Sequence, residues 1–173
     1  MIIEAMVDLE TLDNRPTSHI LSIGATLMHD TERTFYSVIG TKEQYRSVNQ
    51  NTIDWWCEQS EAARNEVLIE TDKSLKEELI KFADFFKSSG AQYIWSHGDD
   101  FDTVILRNAF EQFGIELPWK FWNTRDTRTL IDTAKRLKGK TFEPDRTGVY
   151  HNALHDAIFQ TKWMNNIWEG LRE

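Results

Sequence analysis

Asp8, Glu10, Asp102, His151 and Asp156 combine carboxylates with one imidazole, and each falls at a strand end or a helix start. Asp8 and Glu10 stand two apart at the end of the apolar run Ile2–Leu9. A strand has a period of two, so both side chains leave the same face. Paired carboxylates there repel each other without hydrophobic gain, and a cation between them would account for the arrangement. Taken alone, the motif is far more often the mark of a solvated strand end. Asp102 opens a helix behind the short run Tyr93–Trp95, a place that the helix dipole favours for any acid; Asp99 and Asp100 could cap it instead. His151 and Asp156 are separated by four residues at the start of the last helix, so a loop lets the imidazole lean across while the helix holds the acid. A histidine of near-neutral pKa beside bound metal suits a general base that takes a proton from water. Oxygen ligands favour Mg²⁺ or Mn²⁺ over structural zinc, and Cys57 has no second thiol to pair with. Two such ions roughly 4 Å apart stabilise the attacking and leaving oxygens of a phosphodiester displacement.

The elements that must position these groups can be read from periodicity and punctuation. Ile2–Leu9, Ile20–Met28 and Thr34–Ile39 read as strands joined by short turns, an antiparallel meander. Asn51 or Thr52 starts a short aromatic helix with Trp55 and Trp56, and Thr71 or Asp72 caps a longer one that ends at Gly90. Tyr93–Trp95 is a short buried strand, Phe101–Phe113 a helix, and Phe121-Trp122 an edge strand. A helix from about Asp126 to Leu137, a polar loop and a last helix from about His151 to Leu171 complete the chain. The expectation is an α/β fold, a mixed sheet flanked by helices, in a single domain over residues 1–173.

Composition narrows the function. The 173 residues are 40% hydrophobic, and 7 Trp, 10 Phe and 4 Tyr spread along the chain argue for an ordered core. No apolar run approaches the roughly 20 residues of a membrane span. The stretch ending at Asp8 lacks the basic start of a signal peptide, and a lone cysteine suits a reducing cytoplasm. A net charge of −8 disfavours sequence-blind duplex binding through a positive surface. A local basic stripe nevertheless runs from Lys120 to Lys140, with seven basic residues against Asp126 and Asp132.

The sequence resembles the DEDDh 3′–5′ exonucleases, which have a ribonuclease-H-like fold, and within them the small phage and prophage dexA-type branch. Mycobacterial-type 3′–5′ exoribonucleases are more distant relatives. The resemblance is carried by Asp8-Leu9-Glu10-Thr11, Asn51-Thr52-Ile53-Asp54-Trp55-Trp56, Phe101-Asp102, the run from Phe121 to Thr129, and His151 to Asp156. It implies two divalent cations, Mg²⁺ or Mn²⁺: Asp8 bridging both, Glu10 and Asp156 on the ion that holds the nucleophilic water, Asp102 on the other, and His151 as general base. His155 falls outside the base position and reads as a supporting or surface residue. The implied reaction releases nucleoside 5′-monophosphates from the 3′ end of single-stranded DNA or RNA, with a lean towards DNA. The implied setting is the cytoplasm, the host's if the chain is phage-encoded, with no membrane partner; homodimers are frequent among such relatives.

For substrate binding the residues offer Trp55, Trp56, Arg125 and Arg128. One tryptophan can stack on the terminal base, and since neighbouring helical residues point about 100° apart, the other should be buried. Arg125 and Arg128 could grip phosphates as bidentate forks, or Arg125 could pair structurally with Asp126, which reads as a helix cap. His97 reads as a hydrogen-bonded histidine and Cys57 as a small packed residue. The competing readings are an endonuclease on the same fold, a non-catalytic nucleic-acid-binding module, and an HD-type phosphohydrolase prompted by His155-Asp156. The three N-terminal strands speak against the last.

Overall fold

The computed structural model describes residues 2–173. Strands β1 (Glu4–Thr11), β2 (Ile20–Leu27) and β3 (Asp30–Val38) form the antiparallel meander. On the other side of β1, β4 (Tyr93–Ser96) and β5 (Thr124–Asp126) pair in parallel, giving the order β3-β2-β1-β4-β5. The helices are α1 (Gln50–Glu58), α2 (Glu61–Val67), α3 (Leu75–Ser89), α4 (Asp102–Gln112), α5 (Thr127–Lys138) and α6 (Ala153–Arg172). Among the described residues, no helix is long and apolar enough to cross a membrane.

Strand parity divides the core. Ala5, Val7 and Leu9 of β1 pack with Phe82 and Phe86 of α3 and Phe110 of α4 on one face. Met6 packs on the other with Leu130 of α5 and Ala157 and Met164 of α6. Asp8 and Glu10 share the parity of Met6, so the period of two that buries one also sends both carboxylates towards α6. β2 is buried at every position, which explains its unbroken apolar and small-residue run. Its Gly24 lies opposite Asp8 in the ladder, where a Cβ would stand 2.1 Å from the Ala153 carbonyl carbon. Only a residue without a side chain lets the start of α6 rest on the sheet next to Asp8.

Several boundaries differ from those read in the sequence. β1 begins at Glu4 and continues to Thr11, and β3 begins at Asp30, because a sheet edge tolerates the charged Glu32 and Arg33 that obscure the strand pattern. The cap of α3 is Ser74 rather than Thr71 or Asp72; its side chain accepts from the Glu77 amide. Phe121 and Trp122 do not form the edge strand. They begin a 3-10 turn closed by the Asn123 amide on the Lys120 carbonyl at 2.8 Å, and Thr124–Asp126 pairs with β4 instead. α2, capped by Ser60, escaped the sequence reading because it is short and carries only two buried residues, Ala63 and Val67. α6 begins two residues later than expected, since Asn152 caps it by accepting from the His155 amide at 3.0 Å. Cys57 is exposed, not packed.

Candidate active site

Asp8, Glu10, Asp102, His151 and Asp156 all line one cleft of about 460 Å³ at the C-terminal ends of β1 and β4. Glu10, His151 and Asp156 offer ligand atoms that lie within 4.8 Å of one another. β4 pairs with β1 only as far as Met6, which frees the Leu9 amide on that side, and Asp102 at the start of α4 accepts it through Oδ1 at 3.0 Å. Asp8 Oδ1 accepts from Gln160 Nε2 at 2.7 Å.

His151 sits in the loop before α6 with φ of +59°, a conformation uncommon for a residue with a side chain. The chain is held on both sides of it. Asn152 donates from Nδ2 to the Glu66 carboxylate at 2.8 Å and to the Tyr36 hydroxyl oxygen at 3.1 Å while capping α6. Upstream, His155 Nδ1 accepts the Val149 amide at 3.1 Å, so the second histidine shapes the loop that delivers the first. Trp55 stands edge-on to the His151 ring, with centroids 4.8 Å apart. Burial, then the charge of Arg146, lowers the pKa of His151 below its ordinary 6.5 and leaves a neutral imidazole at pH 7.

The tryptophans divide as helical geometry requires. Trp56 is buried and donates from Nε1 to the Thr11 carbonyl at 2.9 Å, whereas Trp55 keeps 39% of its surface exposed. Trp55 walls a neighbouring slot of about 220 Å³ with Leu9, Thr52, Asn14 and Phe101. The arginines divide too. Arg128 lines the cleft, but Arg125 lies over the Tyr93 ring at 4.2 Å and donates to the Thr124 and Trp122 carbonyls, away from the acids. Asp126 caps α5 and accepts the Gly98 amide at 3.1 Å. His97 reaches the Thr127 hydroxyl at 2.8 Å, stacks on Trp163 and also lines the cleft.

Two polar residues that touch the acids of the site, Gln160 and Arg146, were not read from the sequence. Gln160 lies one turn beyond Asp156 on the same face of α6, a spacing that could have revealed it. Arg146 lies in the irregular segment between α5 and α6, where no periodicity gives its direction away. Its guanidinium forms an ion pair with Asp156.

A family model of the Rv2179c-like 3′-5′ exoribonuclease domain matches residues 3–168. The chain belongs to this family. An exodeoxyribonuclease of Enterobacteria phage T4 is 30% identical over 145 residues, which covers 68% of this chain and 62% of the phage protein's length. Among solved structures, exonuclease I from Methylocaldum szegediense has a TM-score of 0.73 at 12% identity, over 100% of this chain and 42% of that one. The nuclease domain of 3′hExo, a DEDDh family member bound to rAMP, has a TM-score of 0.59 at 16% identity, over 97% and 92% of the two chains. Pop2p of S. pombe, in its Mg²⁺- and Mn²⁺-bound form, has a TM-score of 0.50 at 16% identity, over 98% and 82%. At these identities the likeness is one of fold, and the fold is the ribonuclease-H-like one of the DEDDh nucleases.

In this exoribonuclease-family domain the buried acids form a candidate cation site. Burial, followed by the charge of Asp102, pushes the Glu10 carboxyl up to about 8, and burial raises Asp102 to about 8 despite the Leu9 amide. Asp8 is also raised, by burial and then by the charges of Asp102 and Glu10. Carboxylates that cannot ionise together without help, gathered with one imidazole, fit hard divalent cations. A carboxyl whose folded pKa is raised favours the fold while protonated and costs stability once ionised. Without divalent cations, stability is therefore expected to fall as pH rises from about 4.5 through about 8. Mn²⁺ should raise Tm more at pH 8 than at pH 5.5, measurable by differential scanning calorimetry against EDTA; an equal rise at both pH values would contradict this account.

Proposed function

We propose that this chain forms a divalent-cation-dependent 3′–5′ exonuclease domain that hydrolyses single-stranded nucleic acid to nucleoside 5′-monophosphates. The observation that carries the reading is the convergence of Asp8, Glu10, Asp102, His151 and Asp156 on one cleft from three separate stretches of chain. Asp8, Glu10, Asp102 and Asp156 would hold the cations, with Glu10 and Asp156 lying closest to His151. When bound, Mg²⁺ or Mn²⁺ would supply Lewis-acid stabilisation of the attacking and leaving oxygens. The Mg²⁺ and Mn²⁺ bound to Pop2p support this choice of cation.

The chain's own residues supply the rest. His151 takes the proton of the attacking water, for which a neutral imidazole beside Glu10 and Asp156 is suited. Thr129 and Asp126 fix the first turn of α5 through a 3.1 Å hydrogen bond, which keeps Arg128 at the cleft wall as a phosphate contact. The terminal base enters the slot beside the cleft, against Trp55, Leu9 and Phe101. A slot that offers aromatic rings to a base accepts any of the four and demands that it be unstacked, which favours single strands. The phage exodeoxyribonuclease tilts the reading towards DNA and the family description towards RNA, so both belong in the test.

The deciding experiment offers 5′-labelled single-stranded DNA and RNA with Mn²⁺. The expected product is a ladder that shortens from the 3′ end and vanishes with EDTA. Cleavage of a 3′-blocked strand at internal positions would favour an endonuclease, and binding without products a recognition module.

The two tryptophans give a paired prediction. Trp55→Ala should raise KM for single strands about 5- to 100-fold, the loss of one base stack, while leaving Tm close to the parent's. Trp56→Ala should instead cost about 3–5 kcal/mol of stability, as removal of a buried aromatic does. Steady-state kinetics and urea unfolding of both variants check this, and a Trp55→Ala enzyme of unchanged KM would remove Trp55 from the substrate path.

A further inference from the structure

Arg146 is the one basic side chain among the described residues that forms an ion pair with an acid of the cleft, Asp156. It is not an ordinary surface pair, because only 18% of the Arg146 side chain and 12% of the Asp156 side chain is exposed. The guanidinium packs against two rings, 3.8 Å from the Tyr150 centroid on its own loop and 4.7 Å from the Phe159 centroid on α6. Ring contacts of this kind restrain its plane and leave its N–H groups for hydrogen bonds. Only one of its nitrogens is engaged by a side chain, and its Nε is buried without a partner. A guanidinium carries five N–H donors in a rigid fork, so most of the recognition capacity of Arg146 is unspent.

The pairing has a second consequence. Asp156 belongs to the same tight group as Glu10 and His151, and Arg146 supplies positive charge to it where a divalent cation would. A guanidinium and a divalent cation compete for one carboxylate. A guanidinium displaced from Asp156 stays in the cleft, because Tyr150 and Phe159, both cleft-lining, still hold its faces. The anion available there is the phosphate of the substrate.

We propose that Arg146 is a two-position residue: it neutralises Asp156 in the cation-free protein and, once a divalent cation takes that carboxylate, turns its fork to the substrate phosphate. The proposal rests on the exonuclease reading. It makes cation and phosphate binding mutually reinforcing, since each rewards the release of the Arg146–Asp156 pair, and such coupling is reciprocal.

The test measures Mn²⁺ binding by electron paramagnetic resonance, first without nucleotide and then with a saturating nucleoside 5′-monophosphate, in the parent protein, Arg146→Gln and Arg146→Lys. Without nucleotide, Arg146→Gln should bind Mn²⁺ about 5- to 20-fold more tightly than the parent, because the competing cation is gone. Arg146→Lys should stay near the parent, since charge is kept. With nucleotide, the parent's Mn²⁺ affinity should rise, and both variants should lose most of that rise because neither has the fork. Thermal unfolding in EDTA establishes that each variant is folded. Equal or weaker Mn²⁺ binding by folded Arg146→Gln overturns the proposal, as does nucleotide coupling that survives both substitutions. If the parent itself binds no Mn²⁺, or binds it undiminished in Asp8→Asn, the metal-site reading fails and takes this inference with it. Normal parent binding with unaffected variants defeats the Arg146 role alone.

Discussion

Asp8→Asn is expected to abolish 3′-end trimming, by at least about 10³-fold in kcat, while making the cation-free protein more stable. The two effects have one cause. Asp8 is flanked by Glu10 and Asp102, whose charges, after burial, raise its carboxyl well above its ordinary value. Without divalent cations its ionised form costs folding free energy, and asparagine, which resembles the protonated acid, avoids that cost at every pH above the ordinary aspartate value. Asparagine also keeps a carbonyl oxygen to accept from Gln160 Nε2. The expected gain is about 3–6 °C in Tm at pH 8 in EDTA, for a domain of this size. Loss of activity follows because a neutral amide cannot balance the positive charge that the reaction requires, and several kcal/mol of transition-state stabilisation correspond to three or more powers of ten. Ladder assays with Mn²⁺ and calorimetry in EDTA measure the two halves separately. Trimming at the parent's rate would take Asp8 out of the chemistry; a lower Tm in EDTA would mean that its carboxylate stabilises the fold.

His151→Ala should slow the single-turnover rate by about 10²–10⁴-fold, the usual loss when a general base is removed. Its Mn²⁺ affinity should fall far less than that of Asp8→Asn, because all four acids of the cleft remain. The parent rate should decline as pH falls through the lowered His151 pKa, below the ordinary 6.5, where protonation removes the base. The variant should lose that acid limb. An acid limb that persists unchanged in His151→Ala would assign it to the carboxylates instead. His155→Gln offers a contrast: without the imidazole that accepts the Val149 amide, the loop ahead of His151 loosens, but the proton acceptor remains.

Local chemistry made much of this protein legible. The alternation along β1 sends Asp8 and Glu10 to one face by geometry alone, and the parity that buries Met6 fixes which face. The Trp55-Trp56 dipeptide foretold one buried and one exposed ring because a helix separates adjacent residues by about 100°. The acids at strand ends and helix starts were visible because those places are marked by short-range signals.

Tertiary structure decided what depends on which distant backbone comes near. Nothing within a few residues of Gly24 announces that α6 will rest upon it, yet that contact brings His151 and Asp156 beside Asp8 and Glu10. Arg125 and Arg128 look alike in sequence and are only three positions apart. The strand turns Arg125 onto Tyr93, and the first turn of α5 carries Arg128 to the cleft. Arg146 lies in a segment without periodicity, so only its partners from α6, Asp156 and Phe159, define its position. Periodicity encodes which side of an element is covered. What covers it is fixed when all the elements pack at once, and the polar contacts inside this cleft follow from that packing rather than from local spacing.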